Sequence, residues 1–401
     1  MGWLGLDDTD SLQGGCTTAS FHALLADLPS NIKTGVPRLV RLWPFAQRRT
    51  RGNAALAVEL HAPDEAVLMD HLDDWWRRHL APLEGLVEAS TMSDRPQSPA
   101  SPGMVYYRER PDEAFYWSAV RQEVDLLSTP TPHRAWGGHG KIGAAAAISW
   151  PGQQVTWEAI AWRSTTESTQ PRRIDMNALL DIDAMVGVVL SRDPRNGSGL
   201  IAPRGPSPVL FGVRATSFEA AERACLHLLD APKTEEASAW RVFETNQASG
   251  DHLPPVQSFT VASVGTHPAR KHAHVRTDGP TVVAYAEGGA VNALARWLQE
   301  GDKISVAGLL HPDGTLHAER LKVDSWVHRT YQRPLCSSCR VRMKSMGKGQ
   351  GLRCPSCKST APDTWDGVPV EPPHTGWVEP PMDARRHLAR PLSWEDSDGR
   401  M

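Results

Sequence analysis

Two Cys-X-X-Cys pairs constrain this chain more tightly than any other feature. In the stretch CSSCRVRMKSMGKGQGLRCPSC, Cys336 and Cys339 are separated from Cys354 and Cys357 by the fourteen residues 340 to 353. That spacing lets two knuckles of a β-ribbon meet at one tetrahedral ion, and four thiolates leave no coordination position open. The expectation is a structural zinc ribbon, too small to fold without its metal. Thioredoxin-type pairs come singly beside a βαβ unit, so a redox use fits the pattern poorly. Six cysteines in 401 residues make no disulfide framework and agree with a reducing compartment.

The ribbon is also basic. From Arg329 to Lys358 there are eight Lys and Arg residues and no acidic one. Between Val256 and Thr360, 15 Lys and Arg face 7 Asp and Glu, although the whole chain carries -3. A basic C-terminal half joined to an acidic N-terminal half suits a polyanion grip attached to a reaction centre. Solvated surface is the plainer alternative. Ahead of the ribbon come the short strands SFTVASVG, HAHVRT, PTVVAYAE, DKISVAGLLH and TLHAERLKVDSW, with a helix AVNALARWL between the third and fourth. That is the order of an OB-fold, a partly open barrel that commonly takes single-stranded nucleic acid.

The acidic half opens on LGLDDTDSLQGGCTT, where Asp7, Asp8 and Asp10 follow a short strand and precede glycines and the hydroxyls of Thr17 and Thr18. A helix N-cap needs one such carboxylate. Three point instead to Mg²⁺, which takes oxygen ligands and bridges to phosphates, beside a helix N-terminus able to receive an anion. A rival reading takes Asp8 to Ser11 as the nucleophile loop of a haloacid-dehalogenase-type phosphatase, but no later lysine or acidic pair is clearly placed for it. The loop QRRTRGN supplies Arg48, Arg49 and Arg51 as phosphate donors, with Gly52 and Asn53 suited to a turn before the strand AALAVEL. In GGHGKIGAAAA, Ile142 stands where a Walker A motif needs a magnesium-binding hydroxyl, and the glycine spacing is wrong. A turn opening onto a ligand and a tight helix–sheet contact remain as readings. Cys16 and Cys225 read as packing residues.

Elsewhere the pattern predicts helices near 17–28, 64–79, 176–185 and 217–229, and strands at PRLVRLWPF and QVTWEAIAWRS. Strands alternating with helices fit a small ferredoxin-like layer after Val124. No apolar run approaches the roughly 18 residues that cross a bilayer, and residues 1 to 10 lack a signal-peptide pattern, so a cytoplasmic protein is expected.

The combination of GLDDTDS and GGCTT, PRLVRLWPF, RRTRGNAA, GGHGKIGAAAA, WEAIAWR, RRID, APRGPSPVLFGVR, WRVFETNQ, the double CxxC and ARRHLARPL resembles the archaeal isoleucine tRNA 2-agmatinylcytidine synthetase family, in unbroken order over nearly the whole chain. The resemblance implies an α+β multidomain protein. Its parts would be a kinase-like ATP/Mg domain (1–123), a ferredoxin-like agmatine-binding domain (124–250), an OB-fold β-barrel (256–328), a zinc ribbon (333–362) and a C-terminal tail (363–401). It implies a ligase that uses ATP to put agmatine on C2 of the wobble cytidine of isoleucine tRNA with a CAU anticodon, through phosphoryl activation of the base carbonyl.

On that pattern Asp7, Asp8 and Asp10 hold Mg²⁺, Thr17 is the phosphorylated residue with Thr18 as its rival, and Arg49, Thr50, Arg51, Gly52 and Asn53 contact ATP. Agmatine would meet Gly138, Lys141, Arg204, Gly205 and Ser207, and tRNA would meet Arg270, Lys271, Arg340, Arg342, Lys344 and Lys348. Two positions depart from the family: Arg49 stands where lysine is usual, and Ser207 where an acidic residue is expected. Glu158 and Asp175 are the alternative partners for a dication. The non-enzymatic alternative is an OB-fold and ribbon accessory protein that binds nucleic acid.

Overall fold

The computed structural model describes residues 1–10, 15–48, 53–85, 98–164, 170–203, 207–368 and 370–398. It divides into two compact units, Met1–Pro254 with Met382–Met401, and Pro255–Pro381.

The first unit is built on one mixed sheet. Its strands are β1 (Gly2–Asp7), β2 (Lys33–Thr34), β3 (Arg38–Arg41), β4 (Ala54–His61), β5 (Gly103–Tyr107), β6 (Arg134–Gly137), β7 (Thr156–Arg163), β8 (Val188–Val189), β9 (Val209–Ala215) and β10 (Ala237–Thr245). They run β6-β5-β1-β4-β3-β10-β7-β9-β8, with β2 paired to β4. The pairings are antiparallel apart from β3 with β10, which joins the N-terminal strands to the later ones. Asn246 fastens this seam by accepting from the Arg41 N–H at 2.8 Å and donating to the Arg41 carbonyl at 2.9 Å. The sequence ranges 1–123 and 124–250 thus share a sheet.

Period-two alternation decides what each face buries. Leu4 and Leu6 of β1, with Leu56, Val58 and Leu60 of β4, join Phe21 and Leu24 of helix α1 (Thr17–Asp27) and Leu68 and Leu72 of α2 (Glu65–Trp75). On the opposite face, Ala55, Ala57 and Val105 meet α3 (Ala114–Arg121) and the alanines of α4 (Gly140–Ser149). Helix α4 lies unusually close to the sheet. A Cβ on Gly103 would stand 1.9 Å from the Lys141 nitrogen, and one on Gly5 2.4 Å from the Ala144 carbonyl oxygen. The third core forms where α5 (Met176–Asp183) and α6 (Phe218–Leu229) cover β7 and β9, and it buries Cys225.

In the second unit β11 (Gln257–Thr266), β12 (Ala273–Thr277), β13 (Val282–Ala284), β14 (Lys303–Leu310) and β15 (Leu316–Ser325) close a barrel in the order β11-β12-β13-β15-β14. Helix α7 (Ala290–Trp297) falls between β13 and β14, as the sequence predicts. A three-stranded ribbon follows, made of Lys344–Ser345, Leu352–Arg353 and Thr360–Ala361. Among the described residues no helix is long and apolar enough to cross a membrane.

The sequence pattern overlooks β5, β10 and the course of the tail, and it takes the stretch holding β9 for turns. Residues from Met382 onward belong to the first unit. There the Ala248 N–H donates to the His387 carbonyl and the Gly250 N–H to the Leu388 carbonyl, each at 2.8 Å, and Leu388 is buried in the core beside α4. The last described helix is α8 (Leu392–Asp398).

Candidate active site and metal centre

A cavity of about 820 Å³ in the first unit is lined by residues from seven stretches of the chain, between Asp7 and His387. At one wall, β1 ends in Asp7 and the chain turns sharply. Asp8 has a φ of 59°, a left-handed conformation that aspartate tolerates better than most residues. Its N–H donates to Asp7 Oδ1 at 2.7 Å, and its own Oδ2 accepts from the Ser101 N–H at 3.0 Å. Asp10 Oδ1 accepts from the Thr17 hydroxyl at 3.5 Å, and Thr17 Oγ1 accepts from the Thr9 N–H at 3.4 Å. Thr18 Oγ1 lies 3.0 Å from Cys16 Sγ and accepts from Trp162 Nε1 at 3.1 Å.

Burial, and secondarily the charge of Asp10, push the Asp7 carboxyl up to about 7. The cause is visible in α4: a Cβ on Gly143 would come within 1.8 Å of Asp7 Oδ2. The glycines of GGHGKIG thus seat a helix against the acidic strand end, and Gly140 and Gly143 also line the cavity. Both readings of that motif hold at once. A carboxyl so enclosed gains by meeting a cation.

A second wall of the lining carries Arg41 from β3, Glu158 from β7 and Arg214 from β9, with Ser207 and with His387 from the returning tail. Arg41 Nη2 lies 3.9 Å from Glu158 Oε2, and Gln247 Nε2 donates to that same oxygen. Burial lowers both guanidinium pKa values, with Glu158 opposing the shift in each. Arg41 feels Asp10 as well, so it spans the two walls electrostatically.

Of the residues singled out in the sequence, Asp7, Asp8, Asp10, Thr17, Thr18, Asn53 and Ser207 line this cavity, as does Arg48. Asn53 sits at φ 46° and ties the loop down by donating to the Trp43 carbonyl at 2.5 Å. Gly138 and Lys141 are not among the lining residues, although their neighbours His139 and Gly140 are. Arg49, Thr50, Arg51, Gly52, Arg204 and Gly205 lie outside the described residues. Between the two alternatives for a dication, Glu158 faces the cavity, whereas Asp175 caps α5 by accepting from the Asn177 N–H at 2.9 Å. Cys16 also lines the cavity and is half-buried, where packing alone was expected.

Sequence reasoning missed Arg41, Arg214, Gln247 and His387. Arg41 lies in a stretch read only as a strand, and Arg214 in one taken for turns, so neither was singled out. His387 was visible only within ARRHLARPL, with nothing local to say where it goes.

In the second unit the thiols of Cys336, Cys339, Cys354 and Cys357 converge, with all four sulfurs within 4.8 Å of one another. Each CxxC pair is followed by a left-handed residue, Arg340 at φ 57° and Lys358 at φ 65°. Their N–H groups turn back to the Cys336 carbonyl at 2.9 Å and the Cys354 carbonyl at 3.1 Å, so the two knuckles repeat one geometry. A hydrogen bond from Ser359, joined by the N–H groups of Cys339 and Ser338, brings the Cys336 thiol down to about 5. A soft, four-thiol donor set of this shape fits zinc. Among the described residues this is the one group of three or more His, Cys, Asp or Glu side chains so gathered; the acid triplet lines the cavity without converging on a single point. Arg270 and Lys271, in the β11–β12 turn, are exposed, as are Arg340, Arg342, Lys344 and Lys348 around the ribbon.

Comparison with known proteins agrees with this arrangement. Family models described as the TiaS TCKD domain, the TiaS FLD domain and the TiaS C-terminal zinc ribbon domain match residues 3–65, 138–252 and 333–366. The isoleucine tRNA 2-agmatinylcytidine synthetase TiaS of Methanopyrus kandleri is 31% identical, over 98% of this chain and 96% of its own. Its counterpart in Archaeoglobus fulgidus is 29% identical, over 99% and 98%. A solved complex of TiaS with its isoleucine tRNA and ATP superposes with a TM-score of 0.80 at 26% identity, covering 100% of this chain and 99% of that one. A structure of apo TiaS, the agmatidine synthetase of that tRNA, gives 0.78 at 26% with the same coverage.

Proposed function

This chain belongs to the isoleucine tRNA 2-agmatinylcytidine synthetase TiaS family, and from that membership we propose how its residues divide the work. It is an ATP-dependent ligase that attaches agmatine to C2 of a cytidine in isoleucine tRNA. The observation that carries the residue assignment is the single cavity lined by an acidic strand end, by Thr17 and Thr18, and by Glu158 with Arg41 and Arg214.

The target is the wobble cytidine of a CAU anticodon. Its C2 oxygen is a poor leaving group, and phosphorylation makes it a good one, so the enzyme needs positioned charge more than covalent machinery. Asp7, Asp8 and Asp10 form the wall for the nucleotide triphosphate. They offer only oxygen donors, and the enclosure of Asp7 gives that wall a demand for positive charge, which Mg²⁺ on ATP would meet while neutralising the phosphates. Thr17, held by Asp10 and the Thr9 N–H, receives phosphate at the first turn of α1, with Thr18 tied instead to Trp162. Arg48, Arg49, Thr50, Arg51, Gly52 and Asn53 hold the phosphates. Glu158 takes the cationic end of agmatine in place of the acid that Ser207 lacks, with Gly138, Lys141, Arg204 and Gly205 on the surrounding loops.

The range 1–123 corresponds to a kinase-like domain, 124–250 to a ferredoxin-like domain, 256–328 to an OB-fold, 333–362 to a zinc ribbon and 363–401 to a tail. The last two folded parts present Arg270, Lys271, Arg340, Arg342, Lys344 and Lys348 to the tRNA backbone, and zinc holds the ribbon's shape. The protein works in the cytoplasm.

Incubation with Mg²⁺–ATP, agmatine and a CAU-anticodon tRNA should yield 2-agmatinylcytidine, read by mass spectrometry of the digested nucleosides. ATP consumption indifferent to both tRNA and agmatine would favour the phosphatase reading, and none at all the accessory protein.

A further inference from the structure

His387 arrives at the cavity from beyond the ribbon, and its surroundings define its chemistry. Gln247 donates its amide NH₂ to the Glu158 carboxylate, which fixes the amide's orientation. Gln247 Oε1 therefore faces His387 Nδ1 at 3.1 Å and can only accept, so Nδ1 carries the proton. Nε2 is then left with its lone pair. The residue is exposed, and it contributes to the cavity lining.

The charges around it are Arg41 on β3, Glu158 on β7 and Arg214 on β9, with Arg385, Arg386 and Arg390 on its own segment. Arg41 first, and Arg214 with it, hold the imidazole well below its ordinary pKa. It is neutral near pH 7, so the Nε2 lone pair is unprotonated there. His139, the other histidine of the lining, sits instead at the start of α4 beside the acidic wall.

Agmatine brings a problem that such a group solves. An aliphatic primary amine, like that of lysine, is protonated near neutral pH and has no lone pair with which to attack. Resting on the function proposed above, we infer that His387 Nε2 is the proton acceptor for the agmatine amine at the C–N bond-forming step. The ammonium gives one proton to Nε2, and its nitrogen lone pair forms the bond to C2. The C2–O bond breaks with its electrons leaving on the phosphate, which takes the second amine proton. The products are the substituted cytidine, inorganic phosphate and an imidazolium that later loses its proton to water. Glu158 Oε2 is already engaged by Gln247 Nε2 and lies 3.9 Å from Arg41 Nη2.

The test is His387→Gln, which keeps a donor toward Gln247 but cannot take a proton. With full-length enzyme, CAU-anticodon tRNA, ATP and agmatine, transfer should fall about 10²- to 10³-fold at pH 7. Phosphoryl transfer from ATP and tRNA affinity should stay within about threefold, and the variant's rate should climb about tenfold per pH unit above the wild-type plateau as free amine accumulates. Transfer within threefold of wild type overturns the inference, as does an equal loss of phosphoryl transfer or a loss that higher pH does not relieve. Failure of the wild-type enzyme to form 2-agmatinylcytidine would instead overturn the functional reading on which the inference rests.

Discussion

The tetrathiolate centre and the sheet cavity build a site in opposite ways. The four cysteines lie within 22 residues and are oriented by two local knuckles, each closed by its own backbone hydrogen bonds. The cavity draws Asp7, Arg41, Glu158, Arg214 and His387 from positions nearly the whole chain apart. A local site depends on its ion and little else. A distributed site inherits the stability of the sheet that gathers it, so its residues can be changed for chemistry without losing the fold. The two should fail differently when perturbed.

The largest expected effect is at the distributed site. Asp8→Ala removes a carboxylate from the acidic wall and should cut turnover by about 10³-fold or more, while tRNA affinity persists. Loss of tRNA binding in parallel would show that the wall shapes the grip, and the contrast between the sites would break. Next comes the local site. Stripping the metal with a strong chelator should unfold the ribbon and release four thiols to a thiol reagent, with the melting of the sheet unit unchanged. Affinity for tRNA should fall about tenfold or more and return on adding Zn²⁺. Co-operative loss of both units would show that the ribbon is not self-contained. A smaller effect is expected from the exposed cations: Lys344→Gln with Lys348→Gln should weaken tRNA binding a few-fold and lower the salt slope by up to about 2. An unchanged slope would place these lysines away from phosphate.

The same contrast explains what could be read from the sequence. The ribbon was legible because spacing alone determines its geometry, and the barrel because its strands alternate cleanly around one helix. The acid triplet stood out because three carboxylates within four residues are more than one helix cap needs, and all three line the cavity together with Thr17. Glu158 could be named only as an alternative, since nothing local distinguishes a cavity-facing glutamate from a solvated one. Arg41 was hidden because an arginine in an apolar strand normally reaches solvent, and Arg214 because its stretch reads as turns; both line the cavity of a sheet in which β3 pairs with β10. His387 was least legible, because its place depends on a segment that leaves the ribbon and pairs with residues 248–250. The small residues of α4 announced a close approach but not its target, which is Asp7.

Asp7 offers the finest test of the contrast, because its strain should register in the sheet unit alone. Its carboxyl titrates near 3.8 when unfolded and at about 7 in the folded chain, raised chiefly by burial. Between those values the native state binds more protons than the unfolded state, so this group's contribution is present below pH 4 and is lost as pH rises through about 7. Asp7→Asn removes the buried charge. Without divalent ions the variant should melt a few degrees above wild type at pH 8, and the advantage should shrink toward zero by about pH 4. Millimolar Mg²⁺ should raise the wild-type midpoint at pH 8 and leave the variant's nearly unmoved, because only the carboxylate gains a partner. The thiol-reagent accessibility of the ribbon should be identical in both proteins. An advantage independent of pH would mean that Asp7 is already paired in the folded chain, and the acidic wall would then have no unmet demand for a cation.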